Sequence, residues 1–279
     1  MIIRVRFGKE GALRFIGHLD VLRTFQKIFR RAGIPMVYSQ GFSPHPIMSF
    51  ALPLGLGLTS EGEYLDAEIE DGLGMEEESP SPASRCSAPS PASGGGQAKV
   101  TDEILTRLRG ATSDELPVYA VRILPEKAGN AMASVGRASY RLEIPEDSVA
   151  AVAAAAEKLL AETSHIIDKK TKTQTVSFDL RPCIYELSLC RRQSGKGDLP
   201  PCPPPAEGEG CLRSRQGEGD LQPTLSLTLS AGSKSNVKPE LVWEELCGIA
   251  ALPEGVKPLS VRRLDLMTED GTSLGDIGE

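Results

Sequence analysis

Aromatic residues are scarce in this chain, with seven Phe, five Tyr and one Trp in 279 residues. So few rings argue against an extended platform that stacks the bases of a single strand. There are only three histidines, and none falls in HxxH or HExxH spacing, so no local metal motif is present. The six cysteines include no CxxC pair, which excludes a zinc ribbon and fits independent reduced thiols. GxGxxG and GxxxxGK[ST] are both missing, so no nucleotide fingerprint can be read. No apolar run approaches the roughly 20 residues that span a bilayer. MIIRVRFGKE lacks the regions of a secretory signal. A cytoplasmic protein without a membrane role is the expectation.

Charge is present and unevenly placed. The formal net charge is −7, yet residues 1–50 hold eight Lys/Arg (Arg4, Arg6, Lys9, Arg14, Arg23, Lys27, Arg30, Arg31) against Glu10 and Asp20. A positive island in an acidic protein points to a local anion site. Two stretches, about 75–99 and about 192–222, are rich in Pro, Gly, Ser and charge and poor in large apolar residues. They read as disordered low-complexity insertions.

With the insertions set aside, one order of elements occurs twice. In the first half, Ile2-Phe7 alternates like a strand. A helix from Leu19 to Ala32 follows, stopped by Gly33 and Pro35. Strands follow near Ile47-Leu52 and Glu63-Ile69. A helix capped by Thr101 runs to Leu108, and a strand lies near Val118-Leu124. In the second half, strand Tyr140-Ile144 precedes an alanine-rich helix capped by Asp147 or Ser148. A polar segment runs to Pro182. Strands near Ile184-Leu189 and Thr224-Ser230 follow, then a helix opened by Pro239 and a strand at Leu259-Met267. The expected fold is α+β, two ferredoxin-like β-α-β-β-α-β units over 1–129 and 138–270. The alternative is a single α+β sheet with all helices on one face.

Several residues carry candidate chemistry. In the first helix Leu22, Phe25 and Phe29 share the core side, and Arg23, Lys27, Arg30 and Arg31 share another face. With Arg14 they form a row able to track phosphates, or else a solvated helix face. His18, just before the helix and two residues from Asp20, is a candidate acid/base or a packing residue at the helix start. His45 is held between Pro44 and Pro46, after Gly41 and Phe42, in a stiff loop suited to a preorganised contact or to a purely structural turn. If the halves are related, Arg181 takes the place of His45 and both point to a shared cleft. Lys169 and Lys170 form a second basic cluster, read as a nucleic-acid surface or a charged hairpin edge. His18, His45 and Asp20 lack metal-site spacing, so no metal site is expected. Glu61, Glu63, Asp66, Glu68 and Glu70 alternate along a strand and read as a solvent-facing set.

The run from Phe15 to Asp66 resembles the start of the bacterial radical-SAM-linked protein family. The matching elements are Gly17-His18-Leu19-Asp20, Arg30-Arg31-Ala32-Gly33-Ile34-Pro35, the Ser39-to-Pro46 loop and Glu63-Tyr64-Leu65-Asp66. Asp179-Leu180-Arg181-Pro182 and Lys238-Pro239-Glu240-Leu241 follow in order. The resemblance implies a radical-SAM protein as partner and an accessory role. The CxxxCxxC run of a radical-SAM cluster is missing here. No cofactor is therefore expected on this chain, and the iron–sulfur cluster and SAM belong to the partner. Two functions follow as expectations. One is an accessory protein that binds RNA or its radical-SAM partner through the basic face of the first unit. The other is a metal-independent RNA-processing or RNA-modifying enzyme using His18, by fold-level analogy with CRISPR RNA endonucleases. Whether this chain catalyses anything is open at this point.

Overall fold

The computed structural model describes residues 1–71, 95–125, 128–170, 175–190 and 222–277. Alternation of Ile3, Val5 and Phe7 with Arg4 and Arg6 produces strand β1 (Ile2–Lys9). A 3₁₀ turn over Gly11–Phe15 leads into helix α1 (His18–Arg31). Gly33 ends α1 at φ 65°, and the Ile34 N–H donates to the Phe29 carbonyl at 3.1 Å, closing a Schellman motif. Strands β2 (Met48–Phe50) and β3 (Thr59–Glu68), helix α2 (Gly95–Ala111) and strand β4 (Val118–Ile123) complete the first half. Helix α3 (Ala131–Ser134) bridges to strand β5 (Arg137–Glu143) and helix α4 (Val149–Ala161). Hairpin β6 (Ile166–Lys170) and β7 (Thr175–Asp179) precedes strands β8 (Ile184–Cys190) and β9 (Thr224–Ser230). Helix α5 (Pro239–Ile249) and strand β10 (Ser260–Met267) follow.

The fold is α+β, with one mixed eight-stranded sheet ordered β4-β1-β3-β10-β5-β9-β8; β2 pairs with β3 beside this path, and β6-β7 is a separate hairpin. β3 and β10 pair in parallel, at Arg262↔Thr59 and Arg263↔Ser60. The other pairings are antiparallel. Gly62 permits this junction, because a Cβ there would sit 2.2 Å from the Leu264 carbonyl oxygen. Two apolar clusters lie against the sheet. Ile3, Val5, Phe7, Phe25, Phe29, Ile104 and Leu108 belong to one. Tyr140, Leu142, Val152, Leu159, Leu227, Trp243 and Leu246 belong to the other.

Several expectations need correction. α1 begins at His18 itself, because Gly17 is the N-cap. α2 begins at Gly95, so the insertion read as 75–99 is helical at its end, and Thr101 lies inside the helix with its hydroxyl on the Ala98 carbonyl. The rest of that insertion and nearly all of 192–222 lie outside the described residues. Neither Asp147 nor Ser148 caps α4 with its side chain, since both lie in a 3₁₀ turn that feeds it. The polar segment before Pro182 contains the β6-β7 hairpin. α5 extends two residues past Cys247.

Candidate functional site

The apolar spacing of α1 buries Val21, Phe25, Ile28 and Phe29. That leaves Arg23, Lys27 and Arg30 exposed. Arg23 pairs with Asp20 at 3.0 Å, in solvent. Lys27 and Arg30 have no hydrogen bond or ion pair among the described residues. Arg31 turns away and donates to the Ala111 carbonyl at 2.6 Å, tying α1 to the end of α2. Beside it an open groove of about 410 Å³ is lined by Arg31, Arg107 and Thr112. Arg14 is exposed, with its guanidinium 4.7 Å above the Phe15 ring. The island is thus smaller than the sequence suggests, because Arg4 and Lys9 are each only 2% exposed.

The loop after α1 is closed by its own polar groups. The Ser39 N–H donates to the His45 carbonyl at 2.9 Å, and the His45 N–H donates to Ser39 Oγ at 3.2 Å. His45 Nδ1 lies 2.9 Å from Ser39 Oγ, so the imidazole is engaged within the loop. Gly41 takes φ 126°, Pro44 and Pro46 stiffen the return, and the Phe42 ring between them is fully exposed.

The distinctive polar arrangement is a small cleft of about 20 Å³ lined by Phe7, Lys9, His18, Val21, Phe50, Leu52, Leu54 and Glu63. Lys9 Nζ donates to the Ile16 carbonyl at 2.8 Å, its one hydrogen bond among the described residues. Glu63, 4% exposed, gives both carboxylate oxygens to Arg263 of β10; the Nε–Oε1 distance is 2.7 Å. Arg263 also donates to the Leu52 carbonyl at 2.8 Å. Two buried cations therefore face one carboxylate, and only Arg263 binds it. Burial pushes the Lys9 ammonium below the usual lysine range; Glu63 opposes that shift and Arg263 adds to it. Burial also works against the charge on Arg263, but Glu63 more than offsets it and Arg263 stays a cation. His18 stands exposed at the mouth, on the first turn of α1. The Asp20 and Val21 N–H groups donate to the Gly17 carbonyl. The His18 and Leu19 N–H groups have no acceptor among the described residues, and Gly17 offers no side-chain cap. Phe15, Leu19 and Leu56 are exposed apolar residues, and the Gly57 N–H on the Arg14 carbonyl ties the segments of Phe15 and Leu56 together.

A second buried ion pair joins Arg4 to Asp66, at 2.7 and 3.0 Å, and Asp66 also accepts from the Ala131 N–H at 2.8 Å. The Tyr64 hydroxyl donates to Asp265 at 2.5 Å; burial raises both of these groups above their ordinary pKa values. Arg262 binds Glu10 and Glu61. The acidic set on β3 is therefore not a solvent-facing row. Glu63 and Asp66 are buried and Glu61 is engaged, because arginines from distant strands meet them.

In the second half Arg181 is used within its own fold. It donates to the carbonyls of Glu162, Ile184 and Leu160, closing the end of α4. The expected cleft shared by Arg181 and His45 does not form, since each side chain is engaged within its own half. Lys169 and Lys170 end β6, and their side chains lie outside the described residues. His165 lies between Glu162 (2.7 Å) and Glu245 (3.2 Å). Burial alone would lower its pKa; the hydrogen bonds that its ring N–H groups donate to the two carboxylates more than offset this and raise it.

Among the described residues no three of His, Cys, Asp and Glu gather where they would hold a metal ion. His18, Asp20 and His45 go to the cleft, to Arg23 and to the loop respectively. Cys183, Cys190 and Cys247 are free thiols. Among the described residues no helix is long and apolar enough to cross a membrane. Sequence reasoning missed Lys9, Glu63 and Arg263 as one group. Their only early sign was a lysine at the apolar-facing end of a strand.

A family model described as "Uncharacterized protein conserved in bacteria (DUF2344)" matches residues 3–80 and 97–239. No curated protein matches the chain.

Proposed function

This chain belongs to the DUF2344 family of conserved bacterial proteins, and from that premise we propose that it is an accessory protein of a radical-SAM enzyme that binds RNA through α1. The observation that carries the reading is the exposed row of Arg23, Lys27 and Arg30, with Arg14 at its start. Two of its cations, Lys27 and Arg30, have no carboxylate partner among the described residues. A row of unneutralised cations gains free energy by displacing counterions from a phosphate chain. The order β4-β1-β3-β2, repeated as β10-β5-β9-β8, supports reading the two halves (1–129 and 138–270) as ferredoxin-like units joined at β3 and β10. The iron–sulfur cluster and SAM would reside on the partner, in the cytoplasm.

The test is RNA affinity across a salt series. With four phosphates neutralised, affinity falls about 50-fold between 50 and 200 mM salt. The variant with Arg14, Arg23, Lys27 and Arg30 replaced by Ala loses most of the affinity and the salt slope. Salt-insensitive or unchanged binding refutes the reading. Co-purification of a radical-SAM protein with the intact chain, lost when residues 41–46 are replaced by a Gly-Ser linker, tests the partner.

A second reading is favoured by one observation: His18 shares a cleft with Lys9 and Glu63. It is a metal-independent RNA-processing enzyme with His18 as acid/base. RNA cleavage that persists in chelator and vanishes in His18→Ala is its signature.

A further inference from the structure

We propose that the cleft between β1, β3 and the first turn of α1 is a binding site for a small oxyanion, a carboxylate or a terminal phosphate, gripped by Lys9 and His18. Three independent features converge there. Lys9 is 2% exposed, yet among the described residues only one of its three N–H donors has an acceptor, the Ile16 carbonyl. A buried ammonium with two unused donors is a costly arrangement that an incoming oxygen relieves. Next, the local charge does not balance, because among the described residues Lys9 and Arg263 face Glu63 alone and both Glu63 oxygens are held by Arg263. One negative charge brings the cluster to neutrality. Finally, α1 is a 14-residue helix whose first turn lacks a side-chain cap. The free His18 and Leu19 N–H groups and the positive end of the helix lie beside the same opening.

Size sets the ligand class. At about 20 Å³ the cleft has room for one water-sized atom, so a single oxygen of the ligand enters it. The walls of Phe7, Val21, Phe50 and Leu54 exclude water around it, which strengthens the contact. The body of the ligand would lie outside, past His18. This inference goes beyond the RNA reading, since none of its groups belongs to the exposed row on α1.

The experiment is calorimetric titration of the full chain with inorganic phosphate and, separately, with acetate at low ionic strength. Saturable one-site binding by either anion is expected, weakened about tenfold or more in Lys9→Met and measurably in His18→Gln. Preference for acetate assigns a carboxylate ligand, and preference for phosphate assigns a phosphate ester. A second readout uses the wild-type protein alone: the bound anion slows acetylation of Lys9, followed by peptide mass spectrometry, relative to Lys257. No saturable binding by either anion, affinity that survives Lys9→Met, or a Lys9 labelling rate indifferent to both anions overturns the proposal. RNA affinity measured on the α1 row variant stands or falls separately, so the two failures are distinguishable.

Discussion

Replacing Lys9 by Met separates two roles a buried lysine can play. If Lys9 were the essential partner of Glu63, its loss would strand a buried carboxylate and cost about 3–5 kcal/mol. Both Glu63 oxygens, however, are held by Arg263. Lys9→Met strands only the Ile16 carbonyl, a loss of about 1–2 kcal/mol. Against that stands relief from an excess buried cation, since apolar replacement of buried charge is neutral or stabilising by about 1–4 kcal/mol. The two effects nearly cancel, so Lys9→Met lies within about 1 kcal/mol of wild type. Glu63→Gln is the contrast. It leaves Lys9 and Arg263 without an anion and loses about 3–5 kcal/mol, a shift of about 2 M in the urea midpoint for a slope near 2 kcal/mol/M. Urea denaturation of both variants at pH 7 decides. Equal losses in the two refute the assignment of Glu63 to Arg263. The pH dependence provides a second check. With its folded pKa lowered by burial, Lys9 binds fewer protons in the folded than in the unfolded state. Stability therefore rises with pH from the lowered value up to the ordinary one near about 10.4, and Lys9→Met lacks that rise.

Gly62→Ala drives a Cβ to 2.2 Å from the Leu264 carbonyl and 2.6 Å from Asp265 Cα. The clash is with backbone, so a loss of at least about 1–3 kcal/mol is expected by thermal or urea unfolding; a neutral result refutes the tight β3-β10 junction. His165 has the opposite sign of linkage to Lys9. Its pKa is raised by Glu162 and Glu245, so its contribution is complete below the unfolded value near about 6.5 and is lost as pH rises through the folded value. His165→Asn flattens that part of the stability profile, read from unfolding midpoints between about pH 5 and 8.

The local grammar of the fold was legible in the chain. Alternation in Ile3-Phe7, the Gly33 stop of α1, Pro239 at the start of α5 and strand Thr224–Ser230 all sit where the pattern put them. What the pattern hid is long-range. Alternating acids on β3 have the period of a wet face, and nothing local reveals that Arg263, 200 residues away, covers Glu63. Lys9 has the same problem. A lysine at a strand end reads as surface until α1 and the β2 segment close over it. The β6-β7 hairpin was legible only as one of two readings of Lys169 and Lys170, because polar strands carry little apolar alternation. Exposed cations on α1 were easier, since helical spacing alone separates them from Phe25 and Phe29.

The ion pair between Glu63 and Arg263 also bears on how the chain folds. It closes a loop of 200 residues, and β10 meets β3 over only two register pairs. Such a contact costs loop-closure entropy before it returns any energy, which places it late in folding. Lys9 and Glu63 come from neighbouring strands and meet first. Until β10 arrives, Lys9 is the cation that faces Glu63. Arrival of β10 then takes Glu63 for Arg263 and frees the lysine, so the cleft acquires its unspent positive charge only when the two halves have joined.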